Sequence, residues 1–534
     1  MVKNNTDISE KMMTKMKKMF SLLTICIIVI SGMLYYYCLH RSFWPDAEYM
    51  MRMYGLHLAN YAGNSFTFPK MISGGVDYLV YLVNGYSIKS VRIEAMIIYG
   101  IVLFMAAVIA LYNTNKKNIN YSIIPLFVFL FIIINPGSTL YCGMHTDNFI
   151  MYPYDMHPDS TILAVLGLLL VFGHLNTKGK VSKLLLILAI ILAVVGFKFS
   201  DMLFFVTFSC PLFFYFLLYS YHKYFKENYS RIQKKKIVFV LLICFSMLLM
   251  ILKVAQWITG QDNGIYVNRA DSGFADTTVL YENIFIVFTE ILAVYNVELT
   301  GNSVLNIYNF VLLLRMALIF YVFKIVLTVA VTKIKDINNA KYDLLDFIIS
   351  FGMLFNILFL ICLHYGSSVR CIRYLIITFF YGAIILCIHI GKKVERANNN
   401  VEAKIFALYI SIMVVVNMES FWKVDEYRAD YEEPMIEMAK FIEENNLGAG
   451  GAGYWNADVL TAMAGGNNIV IDGIPRTDRY ASRYCGIVDT IYYVIDSPYY
   501  PQDGIEYLGE PTYTYQYGDF VLYYYEDGIP VVTE

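Results

Sequence analysis

The sequence predicts a polytopic α-helical membrane protein of about eleven spans, followed by a small α/β domain on the outer side. Three observations predict it. Apolar residues make up 58% of the chain and charged residues only 16%, where a soluble domain has about a quarter charged. The charge is also split along the chain. Phe421 to Glu534 carries 20 Asp and Glu against 6 Lys and Arg, a balance of −14, so the first 420 residues carry about +12. Finally, lysine clusters recur at alternate ends of the apolar runs, as the positive-inside rule requires. Positive charge dispersed over short membrane loops argues against a nucleic acid partner.

Five lysines, Lys3, Lys11, Lys15, Lys17 and Lys18, precede the first apolar run, 19–38. No small-x-small cleavage site follows, and further spans do, so the segment reads as a signal anchor with a cytoplasmic N-terminus. Runs long enough to cross a bilayer follow near 93–112, 202–221, 237–255, 304–330, 344–363, 371–390 and 403–418. Three more, near 121–136, 160–174 and 182–197, are short for a hydrocarbon core of about 30 Å and require tilt or local thinning.

With eleven spans the inner segments hold Lys116-Lys117, Lys178 and Lys180, Lys234-Lys235-Lys236, Lys333 and Lys335, and Lys392-Lys393. The outer connections 138–159 and 256–303 hold a single basic residue, Arg269. The run 281–299 is apolar but carries Glu282, Glu290 and Glu298. A crossing there would reverse every later loop, so it is expected to be an interfacial or re-entrant helix inside the outer loop 256–303. The membrane body is therefore 1–420, with large outer loops at 39–92 and 256–303, and the outer domain is 421–534.

In the tail, Tyr431–Asn446 has helical periodicity, Gly448–Gly453 reads as a turn-rich break and Val459–Ala464 as a short helix. Asn468–Ile474, Ile491–Ile495 and Phe520–Tyr525 read as strands. Gly448, Gly450 and Gly453 satisfy a G-x-G-x-x-G pattern. They are read as following a helix, whereas a dinucleotide site needs a strand first, so that site is rejected. The tail tyrosines offer faces for sugar rings, but the chain holds 46 tyrosines in all. Nine cysteines are scattered singly, mostly in apolar runs, and read as small core residues. Only Cys142 and Cys485 lie in segments expected outside. No metal-binding constellation is present, and neither metal nor cofactor is expected.

Chemistry gathers in the outer loops. The first begins Arg41-Ser42-Phe43-Trp44-Pro45-Asp46-Ala47-Glu48-Tyr49, with two carboxylates two residues apart just beyond the first span. Such a pair suits general-base work on an acceptor hydroxyl. The same spacing also suits a helix cap at Asp46 with Glu48 in the first turn. The second loop ends Tyr152-Pro153-Tyr154-Asp155-Met156-His157-Pro158-Asp159. His157 can bind a phosphate or hold a hydroxyl, Asp155 stands beside it, and Asp159 can cap the fourth span. Arg370 and Arg373 share a helical face at the outer end of the tenth span. Arginine there runs against the charge bias, so an anion is expected to compensate it, either a ligand phosphate or lipid headgroups. Lys198 and Asp201 flank a tight outer turn and can pair with each other. Arg315 lies inside the eighth span and must face the bundle.

A polytopic body, an Asp-x-Glu pair in the first outer loop and a soluble outer tail together resemble the GT-C superfamily, membrane glycosyltransferases that use polyprenyl-phosphate sugars. The superfamily includes the protein mannosyltransferases and the lipid A aminoarabinose transferases. The resemblance makes Asp46 the catalytic base and Glu48 its companion, though the pair here is Asp-Ala-Glu rather than the adjacent Asp-Glu of some members. His157-Pro158 is similar to a His-Pro element of several such enzymes, and Arg373-Tyr374 to an Arg-Tyr pair. The tail segment Gly453-Tyr454-Trp455-Asn456-Ala457-Asp458-Val459-Leu460-Thr461, followed by Ile469-Val470-Ile471, looks like the outer domains of bacterial GT-C-like proteins.

The resemblance implies inverting transfer of a sugar from a polyprenyl-phosphate donor to a hydroxyl of a glycan, lipid or protein. Arg370, Arg373, Tyr374 and Lys198 would lie at the donor phosphate, at the outer face of a multi-pass cell-membrane protein surrounded by lipid. The alternatives are a transporter or flippase of lipid-linked glycans, or a GT-C-like assembly protein without activity. Transporters carry charges at mid-membrane and broken spans in paired repeats. This sequence has only Arg315 at depth, and no repeat.

Overall fold

Long runs of Leu, Ile, Val and Phe with few breakers favour helices whose backbone groups are satisfied internally, as a bilayer demands. The structure, a computed structural model, describes residues 74–85, isolated positions between 93 and 109, 158–196, 202–226, 275–295 and 297. It further describes 307–339, 341–362, 372–396, 409, 433–464, 468–472, 488–497 and 508–530. The expected spans 19–38, 121–136 and 237–255 lie outside the described residues. A short helix α1, Gly74–Asn84, falls in the expected first outer loop.

The membrane body then runs α2 (Pro158–Asn176) and α3 (Gly179–Val195). Next comes α4, made of Met202–Phe204, a π-helical turn Phe205–Ser209 and Cys210–Lys226. It continues with α5 (Thr277–Val294), α6 (Ile307–Lys335), α7 (Leu344–Cys362) and α8 (Ile372–Arg396). Five helices among the described residues are long and apolar enough to cross a membrane. The expected short span 160–174 is one of them and runs 19 residues, enough for an ordinary crossing. Pro158 opens it, so Asp159 lies within the first turn rather than capping it.

Side-chain ties fix how the helices alternate. α2 and α3 form a hairpin in which the Ser182 hydroxyl donates to the His174 carbonyl at 2.9 Å. The far end of α3 meets the start of α4, where the Ser209 hydroxyl donates to the Ala193 carbonyl at 2.7 Å. The end of α4 meets the end of α6, with His222 Nε2 3.1 Å from the Ile334 carbonyl. Lys333 Nζ donates to the carbonyls of Ile337 and Asn339, closing the turn into α7. Lys392 near the end of α8 meets Asp346 at the start of α7 at 2.8 Å. The lysine-bearing ends of these helices, with Lys178, Lys180, Lys333, Lys335 and Lys392, therefore share one end of the bundle. Between α4 and α7 an aromatic stripe fills the seam, with Phe347 stacked on Phe351 at 4.2 Å and Phe214 edge-on to Phe351 at 5.1 Å.

Helix α5 behaves differently. Asp276 caps its start, accepting from the backbone N–H groups of Thr278 and Val279 at 2.9 Å. That start lies at the far end of α7, where the Ala275 N–H donates to the Cys362 carbonyl and the Asn283 amide donates to the Ile361 carbonyl. Its last turn ends at Tyr295, whose hydroxyl lies at Gly382 together with Val322 and Met353. All three are midway along α8, α6 and α7. The N–H groups of Tyr295 and Val297 both turn back onto the Leu292 carbonyl, closing the helix there. α6 then descends towards the lysine-bearing end from its own start at Ile307, in the same sense as α5. α5 and α6 thus start at the same end of the bundle, and the connection 298–306 between them lies outside the described residues.

The tail holds α9 (Glu433–Glu444), β1 (Ala449–Ala452), α10 (Tyr454–Ala464), β2 (Ile469–Asp472) and β3 (Thr490–Asp496). A hairpin of β4 (Tyr513–Tyr517) and β5 (Phe520–Pro530) completes it. The sheet order is β2-β1-β3-β5-β4, with β1 parallel to β2 and β3, and β5 antiparallel to β3 and β4. Two expectations need correction. Gly448–Gly453 is not a turn-rich break but contains a central strand, so β1, α10 and β2 form a parallel βαβ unit. Its glycines escaped a strand reading because Gly has poor β-propensity. Here packing overrides it, since a Cβ at Gly450 would lie 2.1 Å from the ring of Tyr493. The G-x-G-x-x-G pattern does follow that topology, but Gly450 and Gly451 lie inside the strand rather than in the turn that would cradle a phosphate. The second correction is β4, which sequence alone left as loop.

Candidate functional site

The sequence places its candidate residues at the ends of helices opposite the lysine-bearing end. Asp46, Glu48, Asp155, His157, Lys198 and Arg370 lie outside the described residues. Arg373 is the second residue of α8 and Tyr374 the third.

Three observations describe how that end is built. First, α8 is anchored at its start. The Asn356 side chain, fully buried on α7, donates to the Tyr374 carbonyl at 2.8 Å and to the Thr378 hydroxyl at 2.7 Å. A helix carbonyl already engaged in its own ladder thus accepts a second bond from a neighbour. This fixes the rotation of the first turns of α8, and with them the direction in which the backbone at Arg373 emerges. Sequence reasoning missed Asn356. Its only signal was an amide inside an apolar run, which in a membrane body calls for a polar partner on a facing helix.

Second, the first turn of α2 is polar and buried. Asp159 is 4% exposed, and Ser160 and Thr161 are buried beside it. A carboxylate so enclosed at a helix start is favoured by the N-terminal dipole.

Third, α4 begins with the π-helical turn Phe205–Ser209, immediately after the segment that carries Lys198 and Asp201. Such turns redirect a helix face and concentrate at functional sites. The Thr207 carbonyl released from the α-helical ladder lies 3.4 Å from the Tyr381 hydroxyl, which donates to it. This approach of α4 to α7 and α8 needs Gly352, where a Cβ would lie 2.3 Å from that carbonyl.

Arg315, in the upper half of α6, is 2% exposed, so it faces the bundle as a charge at that depth must. It lies within electrostatic reach of Tyr409, a residue of the expected last span. The start of α8 is tied to α7 by the Asn356 amide. An arginine-bearing turn of α8, a carboxylate-bearing turn of α2 and the entry to α4 lie at the same end.

No family model matches the sequence, and no curated protein matches it. Solved structures do match. The crystal structure of ArnT from Cupriavidus metallidurans bound to undecaprenyl phosphate superposes with a TM-score of 0.51 at 7% identity, covering 93% of this chain and 97% of that one. ArnT from the same organism in the apo state gives 0.51 at 8% identity, covering 94% and 98%. The chain thus has the fold of ArnT over nearly its whole length, and is a multi-pass membrane protein.

Proposed function

We infer, from a fold shared with ArnT from end to end, that this chain is a GT-C-type glycosyltransferase. It takes a sugar from a polyprenyl-phosphate donor and transfers it to an acceptor hydroxyl at the outer face of the membrane. The single observation that carries this reading is the coverage of 93% of this chain and 97% of ArnT by one superposition. A likeness confined to the apolar helices would be common to many membrane proteins. This one includes the tail, and the related structure holds a polyprenyl phosphate.

The chemistry follows from the residues the sequence offers. Asp46 takes the proton from the acceptor hydroxyl, with Glu48 orienting it. The acceptor oxygen attacks the anomeric carbon from the face opposite the phosphate and inverts the configuration. The bond from that carbon to the phosphate oxygen breaks, and the electron pair leaves with the phosphate. Arg370 and Arg373, with Lys198, hold that anion, since guanidinium forks match phosphate oxygens. His157, Asp155 and Tyr374 complete the site around donor and acceptor. The acceptor is a glycan, lipid or protein.

The test is transfer of label from a radiolabelled polyprenyl-phosphate sugar in membranes containing the full chain. Wild type should transfer label, and Asp46→Asn should lower the rate by about 100-fold or more, the usual scale for losing a general base. Undiminished transfer by Asp46→Asn would remove Asp46 from the chemistry. No transfer by wild type from any of a panel of donor sugars would remove the enzyme reading itself.

A further inference from the structure

Among the described residues, strand β4 is the outer edge of the tail sheet, since the strand order ends β3-β5-β4. An edge strand presents unpaired N–H and C=O groups that template another strand. In β4 those groups can be named. The turn Gly518-Asp519 joins β4 to β5 as a two-residue loop, with φ +55 at Gly518. In such a hairpin the residues flanking the loop, Tyr517 and Phe520, form the hydrogen-bonded pair, and bonded pairs alternate along the ladder. Tyr515 therefore bonds to Leu522, while Thr514 and Gln516 turn their N–H and C=O groups outward. Among the described residues, no backbone group of Tyr513–Tyr517 bonds to anything beyond β5.

Natural sheets guard such an edge with lysine, proline or a bulge. β4 itself reads Tyr-Thr-Tyr-Gln-Tyr with its register to β5 unbroken over all five residues, and such features stand only at its start, where Pro511 precedes it and the Thr512 N–H doubles onto the Tyr524 carbonyl opposite Tyr513. One face of the edge is an aromatic tier. Tyr513 stacks on Tyr524 at 6.4 Å and Tyr515 packs on Phe441 at 4.6 Å, yet Tyr513 remains 56% exposed. The strands of the hairpin and their flanks are acidic, and Lys440 on α9 is the exposed base next to the Phe441 contact. Between Leu508 and Pro530 there is no Lys, Arg or His, while Glu510, Asp519, Glu526 and Asp527 are all exposed.

We propose that β4 is a docking edge for an extended, basic polypeptide segment of a partner protein, which adds to the sheet as a sixth strand. Main-chain bonds to Thr514 and Gln516 supply the affinity, and the tyrosine tier accepts the alternate side chains of the incoming strand. Its lysines or arginines meet the acidic rim and the faces of the tyrosines. A second copy of this chain is disfavoured as the occupant. Antiparallel pairing centred on Tyr515 would bring together two edges that have no Lys, Arg or His between Leu508 and Pro530, so nothing would offset their acidic rims. The proposal stands independently of the glycosyltransferase reading.

The test uses the full chain in nanodiscs and fluorescence anisotropy of an alternating lysine–valine peptide. Binding is expected, with a loss of about tenfold or more when the peptide amides facing β4 are N-methylated, since at least two hydrogen bonds are removed. Gln516→Pro, which removes an outward N–H without touching the ladder to β5, should give the same loss. If that variant unfolds, the N-methylated peptide against wild type decides alone. Equal affinity for the N-methylated peptide overturns strand addition, and equal affinity for a glutamate–valine peptide overturns the basic partner. Self-association of the chain that Gln516→Pro abolishes would assign the edge to a second copy instead.

Discussion

Among the described residues of the tail, Tyr493 is the largest side chain that is fully buried, and it lies across a strand made of Ala and Gly. The ring occupies the space that a Cβ at Gly450 would need. Gly450→Ala should therefore destabilise the tail by about 1–3 kcal/mol, the usual cost of overpacking, read as a lower unfolding midpoint. The Tyr493 hydroxyl has no hydrogen-bond partner among the described residues, so Tyr493→Phe should be neutral or stabilising at neutral pH. Burial also pushes the Tyr493 hydroxyl far above its ordinary range. The unfolded tyrosine ionises near pH 10 and the folded one does not. The stability it contributes is thus intact below about pH 10 and falls above it, by about 1.4 kcal/mol for each further pH unit. Tyr493→Phe should flatten that alkaline decline. Tyr525 and Tyr517, raised mainly by burial as well, leave a smaller residual slope. Midpoints of the full chain at about pH 9 and about pH 11 check this, and an unchanged slope in Tyr493→Phe would assign the decline to other groups. None of this was legible in sequence, because a glycine pair reads as a turn until the ring that needs it is located.

Helix α5 is the element where sequence and hydropathy pull apart. By length and composition it is able to cross a membrane. Charge counting along the chain nevertheless kept it from crossing, because a crossing there would invert every later lysine cluster. It starts beside Cys362, and the hydroxyl of Tyr295 after its last turn reaches Gly382 on α8. A parity experiment follows. If only α6 crosses between them, Thr278→Cys and Lys341→Cys lie on opposite sides of the membrane. An impermeant maleimide should then label Thr278→Cys in intact cells and Lys341→Cys only after permeabilisation. Labelling of both from one side would mean that α5 crosses too. The helices were legible because lysines mark their ends and apolar runs set their lengths. The polar ties were not, because Asn356 and the Thr207 carbonyl gain meaning only from what faces them. The expected catalytic pair Asp46 and Glu48 was legible only as a pattern, since the same spacing also caps a helix.

At the scale of the molecule, the likeness to ArnT covers almost all of both chains at 7–8% identity. So low an identity means that the fold persists through hydrophobic patterning and helix length rather than through shared residues. Of the expected site residues, Arg373 lies in the first turn of α8, which Asn356 ties to α7. In the labelled-sugar assay, Arg373→Gln should raise KM for the donor by about tenfold or more, with a smaller fall in kcat, if its main role is to bind a phosphate present in both donor and product. A fall in kcat alone would give it a role in bond breaking instead. If α5 does not cross, its end at Tyr295 also constrains the order in which the protein is made. A helix that stops midway cannot remain in lipid by itself, because its last carbonyls would face hydrocarbon. Yet the ribosome delivers α5 before α6, α7 and α8, the helices that shelter its tip. The nascent segment must wait at the membrane surface or inside the insertion machinery, and it reaches its final depth only after a later part of the chain has been synthesised.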